Sequence, residues 1–112
     1  MAVVELTTIE EIETALKGNE AYIKVSTTSC GPCKMMNPLF DFISEKATHG
    51  NFYAITADTV DPEVGRYVRE KLNVNSVPVF FVYKNENQLS RVDGAFPKTQ
   101  LVQKLGVELK ED

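Results

Sequence analysis

The only two cysteines of this 112-residue chain stand in the tetrad Cys30-Gly31-Pro32-Cys33. That spacing lets them bond each other: with Cys30 capping a helix and Cys33 in its first turn, the Cα atoms fall about 5 to 6 Å apart, a span a disulfide tolerates. The chemistry this allows is reversible exchange between dithiol and disulfide. A thiolate is the attacking species, and the free amides at a helix start stabilise negative charge, so Cys30 is the expected nucleophile. Cys33, one turn inside, is the expected resolving thiol, which attacks the mixed disulfide between Cys30 and a substrate and frees the reduced product. Gly31 leaves the approach open, and Pro32 stiffens the loop and brings no amide donor.

Two cysteines so spaced are also half a zinc site, but only His49 adds a nitrogen and no second pair exists, so no metal is expected within one chain. A metal shared between two chains stays open on this pattern. His49, between Thr48 and Gly50, reads as an exposed loop residue rather than a base. A formal charge of -4 and a pI near 5.0 argue against phosphate backbones and anionic lipid, so neither nucleic acid nor membrane is an expected partner. The opening Met1-Ala-Val-Val-Glu-Leu has no basic region or long apolar core of a signal peptide, and the apolar run 77–83 is too short to span a bilayer. A cytoplasmic location is the matching expectation.

The elements that must position the pair follow from periodicity. A short strand over 3–6 precedes a helix over 9–17, opened by Thr8 with Glu11 three residues on and stopped near Gly18. A strand over 21–27 runs straight into the cysteines, placing them at a strand-to-helix turn. The helix behind them carries Met36, Leu39, Phe40, Ile43 and Ala47 on one stripe, with Pro38 inside it predicting a kink. A strand over 51–57, a helix from Asp61-Pro62 to Leu72, and a β-rich run over 77–83 suited to burial on both faces come next. Residues 84–87 make a turn, 88–93 return as an antiparallel strand, and 97–110 form a last helix with Leu101, Leu105 and Leu109 aligned. The order is βαβαβαββα, one α/β domain over 1–112.

Ser29-Cys-Gly-Pro-Cys-Lys34 at such a turn, Pro38 five residues beyond Cys33, Val77-Pro78 opening a later strand and Gly94 after the hairpin together resemble the thioredoxin family over nearly the whole chain. The resemblance implies a thioredoxin fold, a central mixed five-stranded sheet flanked by four helices. It implies a protein disulfide reductase working through the Cys30/Cys33 cycle, with no cofactor beyond the reversible disulfide, acting as a monomer on disulfide-containing proteins and drawing electrons from a thioredoxin reductase. It also implies a cis bond between Val77 and Pro78, strand-like pairing of Val77 with substrate, and a docking surface of Ser29, Ser76, Val77, Pro78, Gly94 and Ala95 beside Gly31 and Pro32. Read locally, Val77-Pro78 is a trans proline at the start of a strand and Gly94 a turn glycine.

Three residues depart from the family pattern. Ser29 replaces the usual tryptophan in a chain without any, and Ser26 stands where an aromatic is frequent. Lys24 occupies a position normally held by a buried acid, and its readings differ: an ammonium near Cys33 favours the thiolate, a buried partnerless lysine loses its proton and acts as a base, and a packed stem with its head in water does neither. The departures keep two alternatives in play: exchange linked to glutathione or one dedicated partner, and a non-enzymatic module that only senses redox state.

Overall fold

Strand β2 (Ala21–Ser26) is buried along its whole length, and its alternation sorts the protein into two layers. Ala21, Ile23 and Val25 face one side of the sheet, and Tyr22, Lys24 and Ser26 face the other, as the two-residue period of a strand requires. The computed structural model describes residues 3–59 and 61–110, so Met1 and Ala2 of the signal-peptide reading lie outside the described residues. β1 (Val4–Glu5) and β3 (Asn51–Thr56) run parallel within the sheet, whereas β4 (Val79–Lys84) and β5 (Asn87–Asp93) run antiparallel, in the order β1-β3-β2-β4-β5. Helices α1 (Ile9–Lys17), α2 (Gly31–Lys46), α3 (Pro62–Glu70) and α4 (Lys98–Leu105) complete the expected order.

Ile12 and Ala15 of α1 and Val64 and Val68 of α3 pack on Ile23, Val25 and Phe81. On the opposite face Met36, Phe40 and Ile43 of α2 and Leu101 and Leu105 of α4 pack on Tyr22, Phe52 and Phe80. Phe40 meets Phe52 edge-on at 5.5 Å between centroids and Phe80 at 5.6 Å. Burying each such ring is worth about 2 to 3 kcal/mol, so this aromatic knot fixes where α2 lies on the sheet. β4 supplies side chains to both layers, which is why its sequence reads as an unbroken apolar run.

Because β2 and β3 are parallel, their C-terminal ends Ser26 and Thr56 pair, and Val79 at the start of β4 pairs with Val25. The connections after β2, after β3 and before β4 therefore gather at one end of the sheet. His49 lies at the other end, its Nδ1 3.6 Å from Glu20.

Local signals account for most boundaries. Thr8 Oγ1 accepts from the Glu11 amide at 3.1 Å while Glu11 accepts from the Thr8 amide at 3.2 Å, the reciprocal cap expected. Asp61 caps α3, with Pro62 opening it. α2 runs as one helix through Pro38. The last helix is shorter than 97–110: Gly106, at φ 69°, closes it by donating its amide to the Val102 and Gln103 carbonyls. Leu109 consequently lies outside the helix, in a bridge with Ala47. α3 ends at Glu70 rather than 72, and the strand expected from 77 begins at Val79, after a proline that cannot donate to the ladder.

Candidate active site

β2 ends at Ser26, and Thr27 to Ser29 carry the chain to Cys30, the N-cap of α2. A cap residue keeps extended backbone while its side chain reaches the free amides of the first turn. Here that side chain is sulfur: Cys30 Sγ accepts from the Cys33 amide at 3.1 Å. Cys30 and Cys33 are joined as a disulfide with Cα atoms 5.2 Å apart, inside the expected span. The pair is asymmetric, since Cys30 is partly exposed and Cys33 is 0% exposed. A Cβ built on Gly31 would meet nothing within 4 Å, so the outer sulfur is open to approach. An anion on Cys30 would sit at the positive end of a sixteen-residue helix.

Two polar clasps hold the surroundings. Asp58, just beyond β3, accepts the Thr28 amide at 2.9 and 3.1 Å and the Thr28 hydroxyl at 2.5 Å, tying the loop before Cys30 to the β3–α3 connection. These hydrogen bonds hold its carboxyl below the usual aspartate range. Arg91 of β5 donates to the carbonyls of Leu72 at 3.1 Å and Asn73 at 2.9 Å while its Nε pairs with Asp93 at 2.8 Å. It so fastens the stretch leading to Ser76, Val77 and Pro78.

The Val77–Pro78 peptide is cis, and the Val77 carbonyl oxygen lies 3.7 Å from Cys30 Sγ. The trans arrangement that the local sequence favours is thus overturned. Gly94 donates its amide to the Pro78 carbonyl at 2.9 Å. Its φ of 105° requires glycine, whereas space does not: an added Cβ would find only the Phe96 ring, at 3.8 Å. Ser29, Ser76 and Ala95 are exposed around this end. They divide between two clefts: Ser76 and Val77 border one of about 240 Å³ with Thr27, Asp58 and Arg69, and Ala95 borders one of about 430 Å³ with Met35, Leu39 and Phe96.

Lys24 is 5% exposed, so its head does not reach water as one reading held. Its ammonium donates to Asn37 Oδ1 and lies 5.8 Å from the centre of the Phe40 ring. Burial lowers its pKa, opposed by the charges of Asp41 and Glu5. Asn37, Asp58 and Arg91 were not anticipated from sequence. Asn37 alone had a local signal, lying four residues after Cys33 and so on the same helical face. Among the described residues, no group of three or more His, Cys, Asp and Glu could hold a metal ion, and no helix is long and apolar enough to cross a membrane.

The thioredoxin family profile matches residues 3–106. Thioredoxin-2 of Saccharomyces cerevisiae is 32% identical over 97 residues, covering 85% of this chain and 88% of that protein. Thioredoxin-3 of Dictyostelium discoideum is 31% identical over 93 residues, covering 83% of this chain and 85% of its own. Among solved structures, the thioredoxin of Plasmodium falciparum superposes with a TM-score of 0.79 at 28% identity, over 93% of this chain and 97% of that one.

Proposed function

The chain belongs to the thioredoxin family and is a thiol–disulfide oxidoreductase; from that premise we propose that it reduces disulfides in protein substrates with Cys30 attacking and Cys33 resolving. The observation that carries this reading is the asymmetry of the pair: one sulfur at the helix mouth, accepting an amide and open to approach, and one enclosed behind it. In the cycle, Cys30 thiolate attacks a substrate sulfur and expels the other as a thiolate. Cys33 thiolate then attacks Cys30 Sγ, the bond to substrate breaks, and two electrons have passed from the dithiol to the substrate.

Exposed Ser76, half-buried Val77 and the open space above Gly31 suit an extended substrate segment laid across the site. A flavin-dependent thioredoxin reductase would return the electrons, and a reducing compartment such as the cytosol suits a pair that must be kept as a dithiol. Insulin reduction with dithiothreitol tests the assignment: wild type should accelerate it and Cys30→Ser should not, and equal rates overturn the role of Cys30.

One feature favours a narrower client range. Ser29 is exposed and no tryptophan flanks the pair, so the docking surface lacks a large flat aromatic on that side. Trapping on Cys33→Ser separates the two readings: many captured proteins mark a general reductase, and one dominant adduct, glutathione included, marks a dedicated exchange.

A further inference from the structure

Lys24 is a cation enclosed in the layer that packs α2 on the sheet, and its ammonium touches the same stripe of α2 that carries the inner cysteine. Cys33, Asn37 and Phe40 stand at positions i, i+4 and i+7 of that helix and so share the face turned to the sheet. Lys24 meets this stripe at Asn37, to which it donates, and at Phe40, 5.8 Å away. Asn37 is four residues beyond Cys33, roughly 6 Å along the axis. Its strand neighbours Ala54 and Phe80 bring no charge, and the groups acting on the ammonium from other positions are Asp41 of α2 and Glu5 of β1.

We propose that Lys24 is the electrostatic partner of Cys33, stabilising the thiolate that the inner cysteine becomes when the disulfide opens. When an external dithiol reduces the pair, its thiolate attacks Cys30 Sγ, the Cys30–Cys33 bond breaks, and Cys33 leaves carrying the electron pair. That negative charge forms where water does not reach, since Cys33 is fully enclosed. An ammonium one turn away offsets it; a lysine that is neutral in the disulfide state takes up one proton from solvent as the thiolate forms, and the product is the same ammonium–thiolate pair. Opposite charges in a poorly solvated site interact strongly, and the consequence is a reduced state favoured over the disulfide. Lys24 acts through Cys33 without touching substrate, so it is a positioning residue. This inference rests on the redox reading of the pair and makes the couple less reducing than it would be without the lysine.

The first test needs no mutation. Coupling is reciprocal, so the Lys24 ammonium, followed by NMR in wild type, must hold its proton more tightly in the dithiol state than in the disulfide state. The second compares Lys24→Met, which keeps a long apolar stem, with Lys24→Arg, which keeps the charge. In Lys24→Met the Cys33 thiolate titration should move up by about one unit, tenfold in proton affinity, and Lys24→Arg should restore much of it. Above that titration, the equilibrium with glutathione in Lys24→Met should shift about tenfold toward the disulfide, equivalent to about 30 mV. An unchanged Lys24 titration between the two redox states overturns the proposal even if Lys24→Met fails to fold. Unchanged Cys33 titration and glutathione equilibrium in a folded Lys24→Met do the same. Absence of insulin reduction by wild type would instead sink the functional reading and leave these titrations to speak for themselves.

Discussion

Beside Val77 the cleft sets Thr27, Asp58 and Arg69 among apolar Val68 and Val74 and is tied down by the hydrogen bonds of Thr28, whereas on the α4 side Met35, Leu39 and Phe96 make a trough with almost no polar lining. Hydrogen bonds are directional and so set the geometry of the loop that ends in Cys30. Apolar surface is indifferent to direction and supplies affinity in proportion to the area covered. Under the proposed function the two shoulders divide the labour: the hydrogen bonds beside Val77 orient the loop that ends in Cys30, and the trough on the α4 side, with Met35 70% exposed, is the surface a substrate would cover in place of an aromatic at Ser29.

The largest effect comes from removing what both shoulders serve. Cys33→Ser should cut turnover by about a hundredfold or more while mixed disulfides on Cys30 accumulate, as gel shifts under non-reducing conditions would reveal. Undiminished turnover would mean that neither shoulder converges on this pair. Next, Phe96→Ala should raise KM for a protein disulfide about fivefold, roughly 1 kcal/mol of docking, and leave the rate with a small disulfide unchanged. Slowing of both substrates would show the apolar shoulder shaping the sulfur as well.

Asp58→Asn should act the other way, lowering kcat by about threefold with little change in KM, since a neutral amide accepts more weakly from Thr28. Its pH signature follows from the sign of the shift. A carboxyl whose folded pKa is depressed stabilises the fold above its unfolded value, about 3.9, and loses that contribution as pH falls through the folded value. The unfolding midpoint of wild type should thus fall more steeply below about pH 4 than that of Asp58→Asn; parallel curves would remove Asp58 from the clasp. Smallest for activity is Thr8→Ala, which breaks the α1 cap and should lower stability by about 1 kcal/mol with kinetics unaltered. A kinetic change there would mean that the shoulders are sensitive to any loss of stability.

Much of this was readable before any coordinates. Thr8 with Glu11 and Asp61 with Pro62 announce their helices because caps are made between residues a few positions apart. Cys30 and Cys33 declare their disulfide for the same reason, three residues being one helical turn. The end of α4 was misread because Leu101, Leu105 and Leu109 keep helical spacing past Gly106, and a hydrophobic repeat says nothing of the backbone turn that closes the helix.

By itself, then, the chain determined the order of its helices and strands, where α1, α2 and α3 start, which two sulfurs bond and which of them faces out, because those outcomes are decided within one or two turns of backbone. The packed structure alone decided what stands against the sulfurs. Asp58 meets Thr28 across 30 residues, Val77 meets Cys30 across 47, and Lys24 crosses from β2 to Asn37 rather than reaching water. Such contacts have no local signature: they exist only once parallel β2 and β3 bring their ends together and the aromatic knot around Phe40 seats α2 over the sheet.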